Sequence, residues 1–113
     1  MNAHHAINYI EFYAQDLEAV KAFYHDAFGW TFTDYGPDYV AFTDGSLEGG
    51  FTREGVEGKG ALVILFSNTL EESLETVKRC GGTIVKEIYS FPGGRRFHFI
   101  DPGKNELAVW SDT

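Results

Sequence analysis

The segment from Phe97 to Trp110, FHFIDPGKNELAVW, carries the clearest structural pattern in the chain. Apolar and polar residues alternate on both sides of a short cluster of Asp, Pro, Gly and Asn, which is the pattern of a β-hairpin. Pro102 favours the first dihedral angles of a turn, and we expect Gly103 or Asn105 to adopt the positive φ. The segment therefore predicts two paired strands that close the chain.

The returning strand of this hairpin has one mixed face. Glu106, Ala108 and Trp110 share that face, because side chains two residues apart in a strand point the same way. A carboxylate, a methyl group and an indole favour the wall of a ligand pocket over a purely apolar core. Aromatic residues make up 16% of the chain, and such rigid side chains can line a cavity as well as fill a core.

The composition predicts one globular domain. The chain has 113 residues, 43% of them hydrophobic, and a formal net charge of -8. This acidic balance argues against nucleic acid as a partner and suits a cationic ligand. The longest apolar run, Ala61–Phe66, is too short to cross a membrane. The first ten residues lack the pattern of a signal peptide, and a single cysteine fits a reducing compartment, so we expect a cytoplasmic protein.

An internal repeat divides the sequence into two halves. In the first half, a strand over 6–13 precedes a helix over Leu17–Phe28 that Asp16 caps. Three further strands are expected over residues 30–35, 39–43 and 47–52. The second half has a strand over 60–67, a helix that begins after Thr69, a strand over 83–89 and the hairpin. The two helix caps are separated by 53 residues (69 − 16), and so are Gly29 and Gly82 (82 − 29).

Each predicted helix has an apolar stripe with a period near 3.6 residues. The first stripe consists of Leu17, Val20, Phe23, Tyr24, Ala27 and Phe28. The second stripe consists of Leu70, Leu74, Val77 and Cys80, so that Cys80 is expected in the core. Thr69 and Glu72 have the spacing of a capping box at the start of the second helix.

The pattern predicts an α+β fold of two tandem βαβββ modules. The modules span about residues 6–53 and about residues 60–111 of a single domain, 1–113. Two such modules can join their sheets around a cleft, with the helices on the outside.

Two segments, INYIEFYAQDLEAVKAFYHDAFGW at 7–30 and the hairpin at 97–110, resemble the vicinal oxygen chelate superfamily. That group includes glyoxalase I, fosfomycin-resistance enzymes, extradiol dioxygenases and bleomycin-binding proteins. The resemblance covers essentially the whole chain, and it implies a homodimer. It indicates the fold more specifically than the reaction, because one fold supports many functions.

The resemblance also implies a divalent metal in the cleft, with ligands on the first and last strands of each module. The corresponding positions here hold Tyr9, Leu62, Ala108 and, by an equivalent count from Asp44, Phe51. A catalytic zinc ion requires about three protein ligands of His, carboxylate or thiolate type. We therefore expect no metal and no other cofactor.

Parity along the strands yields a set of candidate site residues. If Phe12 packs on the helix, Tyr9 and Glu11 face the cleft, and Glu106 shares its face with Ala108. We expect Tyr9, Glu11 and Glu106 to be the catalytic candidates. The expected ligand-binding residues are Tyr13, Leu62, Ile64, Phe66, Arg96, His98 and Trp110, with Leu62, Ile64 and Phe66 as an apolar floor.

Three functions are compatible with these features. The first is a glyoxalase/bleomycin-resistance-like protein that binds a small molecule in an aromatic-lined cleft without metal. The second is a metal-independent lyase or isomerase that uses Tyr9, Glu11 and Glu106 for acid–base chemistry. The third is a divergent, metal-dependent enzyme related to lactoylglutathione lyase, with metal recruited by Glu11, Glu106 and His98. Binding without metal is the function that we expect.

Overall fold

The computed structural model describes residues 2–55 and 60–113. The first half contains β1 (Ile7–Tyr13), α1 (Leu17–Phe28), β2 (Thr31–Asp34), β3 (Tyr39–Thr43) and β4 (Glu48–Thr52). The second half contains β5 (Leu62–Phe66), α2 (Leu70–Arg79), β6 (Thr83–Phe91), β7 (Gly94–Ile100) and β8 (Glu106–Ser111). The predicted α+β class and the repeated βαβββ order are confirmed.

The described residues cluster into two units, which we call the first and the second module. The first module contains residues 9–55 and 60–61, and the second contains residues 62–113 together with 2–8. Backbone hydrogen bonds attach the N-terminal residues to β5. The amide of His5 donates to the carbonyl of Phe66 (2.6 Å), and the amide of Phe66 donates to the carbonyl of Ala6 (3.0 Å). The chain's first residues therefore belong to the second module.

In the first module the strands lie in the order β2-β3-β4-β1, and β1 and β4 run parallel. One face of this sheet packs against α1 around a largely aromatic core. The buried residues of that core are Ala14, Val40, Phe42 and Phe51, with Phe12, Leu17, Val20, Tyr24, Trp30 and Phe32 packed against them. Stacking of Tyr24 and Trp30, whose ring centroids are 4.5 Å apart, ties the helix to the start of β2.

The second module repeats the arrangement with the order β5-β8-β7-β6. Its core consists of Leu70, Leu74, Phe97 and Val109, all of them buried. The predicted hairpin is confirmed, because β7 and β8 pair antiparallel with Phe97 opposite Val109. Phe97 and Val109 face α2, so the alternate residues of both strands lie on the opposite face.

The turn of the hairpin differs from the prediction. The positive φ (71°) belongs to Lys104, and neither Gly103 nor Asn105 adopts one. The carboxylate of Asp101 accepts a hydrogen bond from the backbone amide of Asn105 (2.9 Å). This side-chain contact closes the turn, and the left-handed conformation lies at the residue between Gly103 and Asn105.

The two helices begin with different caps. Asp16 accepts from the backbone amide of Ala19 (3.0 Å), as predicted. Thr69 occupies the cap position of α2 but makes no side-chain cap bond, so the predicted capping box is wrong. The hydroxyl of Ser67 instead accepts from the amide of Thr69 (3.0 Å). Cys80 is exposed at the end of α2, and its predicted place in the core is wrong because it lies past the last helical turn.

The predicted apolar face of α1 is only partly buried. Leu17, Val20 and Tyr24 pack on the core, whereas Phe23 and Phe28 are 58% and 66% exposed. Phe23 lies to one side of the stripe formed by the three packed residues, and Phe28 is the last residue of the helix. Neither side chain therefore reaches the sheet. Ala27 is exposed as well. In the described residues, no helix combines the length and apolar character needed to cross a membrane.

Candidate functional site

The first module contains a polar network of Tyr9, Tyr39 and Glu11, which we call the first-module network. The hydroxyl oxygens of Tyr9 and Tyr39 are 2.6 Å apart, and the Tyr39 hydroxyl donates to the Glu11 carboxylate (3.0 Å). Since Tyr39 has a single hydroxyl proton, Tyr9 is the donor in the bond between the two phenols. Burial raises the pKa of Tyr39, and the negative charge of Glu11 raises it further, so Tyr39 stays protonated at neutral pH.

Strand parity explains how this network assembles. Phe12 packs on the core, so Tyr9 and Glu11 lie on the opposite face of β1, as expected from the sequence. Val40 and Phe42 are buried in the same core, which puts Tyr39 on the face of Glu11. Sequence analysis missed Tyr39, although the alternation of β3 contained the signal.

Gly50 leaves space for this network. It lies opposite Glu11 in the pairing of β1 with β4 and opposite Ala41 in the pairing with β3. A Cβ atom at Gly50 would overlap the Tyr39 side chain and crowd the Tyr9 hydroxyl. The Tyr39 phenol therefore fills the volume above Gly50 that a side chain there would need.

The strand register also corrects one predicted position. Glu11 pairs with Gly50, and Ile64, which is 53 residues later (64 − 11), pairs with Ala108. Gly50 is thus the first-module equivalent of Ala108. The assignment of Phe51 is wrong, because Phe51 is 3% exposed in the core on the other face. The error is one residue: Gly50 follows Asp44 by six positions (50 − 44) and Ala108 follows Asp101 by seven (108 − 101).

The second module contains a longer chain of hydrogen bonds, which we call the second-module network. Arg96 Nε donates to the Tyr89 hydroxyl (2.5 Å). The same hydroxyl lies 2.9 Å from His98 Nε2, and His98 Nδ1 lies 3.0 Å from the Glu106 carboxylate. All four side chains belong to neighbouring strands, β6, β7 and β8.

The protonation state of His98 sets the direction of these bonds. His98 is only 4% exposed, and burial lowers its pKa. The hydrogen bond to Glu106 opposes this change, while the positive charges of Arg96 and Lys86 reinforce it. The imidazole is therefore neutral at pH 7. Its Nδ1–H donates to the Glu106 carboxylate, and its Nε2 accepts the hydroxyl proton of Tyr89.

Sequence analysis also missed Tyr89. The strands β6 and β7 pair around the turn at Pro92 and Gly93, and Tyr89 lies opposite Arg96. Symmetry about that turn would have identified this pair. The proximity of Tyr89 to His98 was harder to foresee, since irregularities in β6 place Lys86 opposite His98 where a regular hairpin would place Glu87.

Apolar residues border the second-module network. Ala108 is fully buried and pairs with Ile64 on one side and His98 on the other. Leu65 packs on the α2 core, so Ile64 and Phe66 point to the network's face, and both are buried. Leu62, the third residue of the predicted apolar floor, is half-buried, and that these residues form the floor of a pocket stays a prediction.

Trp110 is held by two contacts in the second module. Its ring lies 5.1 Å from that of Phe66, and its indole N–H donates to the side chain of Asn8 (2.9 Å). Phe91 lies near both the Trp110 ring, at 6.3 Å, and the Arg96 guanidinium, at 5.8 Å. Trp110 thus lies between Phe66 and the Arg96 end of the network.

The predicted site residues form two groups in the structure. Tyr9 and Glu11 meet through Tyr39, and Glu106 meets His98 and, through Tyr89, Arg96. Tyr13 bonds to exposed Gln15 and joins neither group. That both groups line one cavity stays a prediction.

An open groove of about 540 Å³ lies elsewhere, at the start of α1. It is lined by Gln15, Asp16, Leu17, Glu18, Asp34, Gly36, Pro37 and Arg53. None of these belongs to the predicted site, and the polar networks lie outside the groove.

The residues present do not fit a metal centre of the type that the resemblance implies. The four corresponding positions hold Tyr9, Gly50, Leu62 and Ala108, which offer a single phenol as donor. Both ring nitrogens of His98 are engaged in hydrogen bonds, so His98 cannot ligate a metal in this arrangement. Among the described residues, no group of three or more His, Cys, Asp or Glu has the geometry to hold a metal ion.

Comparisons with solved structures support the fold. Methylmalonyl-CoA epimerase from Mycobacterium tuberculosis matches with a TM-score of 0.76 at 12% identity, over 100% of this chain and 93% of that one. A superfamily member from Vibrio splendidus 12B01 matches with 0.72 at 17%, over 96% and 99%. The Mn(II)-bound glyoxalase from Novosphingobium aromaticivorans matches with 0.71 at 21%, over 99% of this chain, which spans 40% of that protein.

Sequence comparison assigns the family. No curated protein matches this chain. The family model of the Glyoxalase/Bleomycin resistance protein/Dioxygenase superfamily matches residues 6–109, which include both βαβββ modules almost entirely. The chain therefore belongs to the Glyoxalase/Bleomycin resistance protein/Dioxygenase superfamily.

Proposed function

We propose that this protein binds a small hydroxylated or cationic molecule without the help of a metal ion. The observation that carries the proposal is the change of residue type at the positions of the family's metal ligands. Tyr9, Gly50, Leu62 and Ala108 replace metal donors, while hydroxyl and carboxylate groups cluster beside them on the same strand faces. Such groups recognise hydroxyl and ammonium groups by charge-assisted hydrogen bonds.

The environment of Glu106 supports this ligand class. The Glu106 side chain is 29% exposed, whereas the side chain of its partner His98 is 5% exposed. The carboxylate therefore borders solvent and is oriented by a buried group. The net charge of -8 also favours the approach of a cationic ligand.

A thermal-shift screen tests the proposal. The purified protein is mixed with Zn²⁺, Mn²⁺, Ni²⁺ or Fe²⁺ and with a metabolite panel sorted into cationic, polyhydroxylated and anionic compounds. We expect stabilisation by members of the first two classes and none by the metals. About one metal ion per chain, retained through dialysis, would contradict the metal-free site, and stabilisation by anionic compounds alone would contradict the ligand class.

Two matched variants assign the binding to the site. Glu106→Gln keeps the volume and removes the charge, so affinity for a stabilising compound should fall about tenfold or more, since a charge-assisted hydrogen bond contributes about 1.5–3 kcal/mol. Glu75→Gln removes an exposed charge from α2 and should bind as the parent does. Equal binding by all three proteins would exclude Glu106 from the site.

A second candidate is a metal-independent lyase or isomerase that uses Tyr9, Glu11 and Glu106 for acid–base chemistry. The observation that favours it is that each module links a carboxylate to a tyrosine hydroxyl by hydrogen bonds along which protons can move. Deuterium uptake from D₂O into a compound identified by the screen, absent with Glu106→Gln, would select this candidate. A compound that binds and takes up no deuterium would select simple binding. The expected homodimer also stays a prediction, which light scattering tests through the mass in solution.

A further inference from the structure

The Tyr89 hydroxyl lies between a cation and a neutral imidazole. Its hydroxyl oxygen accepts from the Arg96 guanidinium and its proton points to His98 Nε2. A cation beside the oxygen stabilises the negative charge that develops when the proton leaves, and a neutral imidazole can accept that proton. Tyr39 has the opposite environment, since its proton points directly to the Glu11 carboxylate.

We propose that Tyr89 is an activated phenol and the acid–base centre of the second module. His98 accepts the phenolic proton, and Glu106 acts as the positioning residue behind His98. This goes beyond the binding proposed above, because it assigns a reactive oxygen to a residue outside the expected site.

The proton transfer can be written with complete balance. A ligand gives a proton to the Tyr89 oxygen while the phenolic proton passes to His98 Nε2. The electron pair of the broken ligand bond remains on the ligand, and His98 becomes an imidazolium whose Nδ1–H stays bonded to the Glu106 carboxylate. The order of groups corresponds to a nucleophile, a base and an orienting carboxylate, with a phenol as the first member. No redox partner is required.

The geometry allows the Tyr89 oxygen to take part in this proton transfer. A phenolic oxygen has two acceptor lone pairs, and Arg96 uses one of them. Tyr89 itself is half-buried, so the ring is held while its edge can be reached. A second cation lies near the same ring, since the Lys86 ammonium is 5.6 Å from the Tyr89 ring centroid.

An electrophile that reports the same proton transfer tests the proposal without knowledge of the ligand. The probe is 4-(2-aminoethyl)benzenesulfonyl fluoride, which an activated phenol attacks. The Tyr89 oxygen forms a bond to sulfur, the sulfur–fluorine bond breaks, fluoride leaves and the phenolic proton passes to His98. Mass spectrometry of the digested protein then gives the labelling rate of each of the six tyrosines.

We expect Tyr89 to be labelled at least about tenfold faster than Tyr35, as an acid–base partner typically accelerates such a step by more than that. Tyr35 is the matched internal control, because it is 65% exposed and accessibility alone would favour it. Tyr39 should react least. Labelling of Tyr89 at or below the rate of Tyr35 would overturn the proposal.

The pH profile and a variant separate activation from mere position. The titratable and charged groups facing His98 are Glu106 on β8, Arg96 on β7, and Lys86 and Tyr89 on β6. The labelling rate of Tyr89 should be constant near neutral pH, where His98 is neutral, and fall in acid as His98 becomes protonated. A rate that rises steadily with pH through neutrality, or one that does not fall in acid, would also overturn the proposal.

His98→Gln should slow the labelling of Tyr89 about tenfold or more, whereas His25→Gln, at an exposed histidine of α1, should leave it unchanged. An unchanged rate in a folded His98→Gln protein would contradict the assigned role. If that variant does not fold, the selectivity and the pH profile of the parent decide. The probe needs no bound ligand, so a negative result would leave the binding proposal standing.

Discussion

The two modules use one strand arrangement to hold phenols in opposite electrostatic environments. In the first module, Tyr39 donates to an anion, and burial beside Glu11 keeps it protonated. In the second module, Tyr89 lies between the cation of Arg96 and the neutral ring of His98. Tyr39 lies on the third strand of its module and Tyr89 on the second strand of its own, so the charge of the nearest partner, and not a shared position, determines what each hydroxyl group can do.

The two modules also differ at the equivalent positions Gly50 and Ala108. The space above Gly50 is filled by the Tyr39 side chain, whereas the Ala108 methyl group is accommodated between Ile64 and His98. A large side chain on the neighbouring strand thus requires glycine in one module. In the other module the neighbouring residues leave space for the methyl group of Ala108.

The largest expected effect comes from Gly50→Ala. The added methyl group would collide with the Tyr39 ring, and overpacking of this kind costs about 1–3 kcal/mol of unfolding free energy. Chemical denaturation measures the loss. In a Tyr39→Ala background the same substitution should cost less, because the colliding ring is absent, and a double-mutant cycle would show the coupling.

Ala108→Gly is the matched control in the second module. It removes a buried methyl group without crowding, so the cost should be about 1 kcal/mol, mostly from backbone entropy. Strictly additive effects of Gly50→Ala and Tyr39→Ala would mean that Tyr39 does not fill the space above Gly50.

A smaller effect distinguishes the two helix caps. Asp16→Ala removes the bond to the Ala19 amide and should lower the unfolding free energy by about 1 kcal/mol. Thr69→Ala removes no side-chain cap bond and should change it by less than about 0.5 kcal/mol. Ser67→Ala, which removes the acceptor for the Thr69 amide, should cost more than Thr69→Ala. Equal losses for Asp16→Ala and Thr69→Ala would restore the capping box predicted from the sequence.

The smallest effect is expected for the protonation of His98, because it changes the unfolding free energy only at acidic pH. Burial lowers the pKa of His98 below the ordinary value of 6.5, so between these two pKa values the unfolded chain binds more protons than the folded one. The unfolding free energy should therefore decrease as the pH falls below about 6.5.

Substitution tests whether His98, and not another histidine, causes this decrease in acid. Denaturation curves of His98→Gln at several pH values should give a shallower acid slope than the parent, and His25→Gln should keep the parent's slope. If removal of His98 leaves the slope unchanged, its imidazole is not the group whose charge is excluded by burial.

Local patterns identified much of the fold in advance. The bounds of α1 and of β3 match the prediction, because amphipathic periodicity and turn residues act over a few neighbouring residues. The face shared by Tyr9 and Glu11 followed from simple alternation along β1.

The errors arose where contacts between elements mattered. Phe23 and Cys80 satisfy the helical period, yet both are exposed, because Phe23 lies to one side of the packed residues of α1 and Cys80 follows the last turn of α2. Phe51 was assigned from a count along a loop, and the loops of the two modules differ by one residue. Ser67, in place of Glu72, supplies the oxygen that accepts from the Thr69 amide, which no local motif indicated.

The sequence by itself determined the repeat, the α+β class, the closing hairpin and the lack of His, Cys or carboxylate side chains at Tyr9, Leu62 and Ala108. These follow from residue type, spacing and alternation, which are properties of short stretches of chain. Only the tertiary structure decided that Tyr39 fills the space above Gly50 and that Tyr89 joins Arg96 to His98. Both contacts depend on which strands are neighbours, on their register and on the irregular pairing of β6, because hydrogen bonds between distant residues require positions accurate to a few tenths of an ångström.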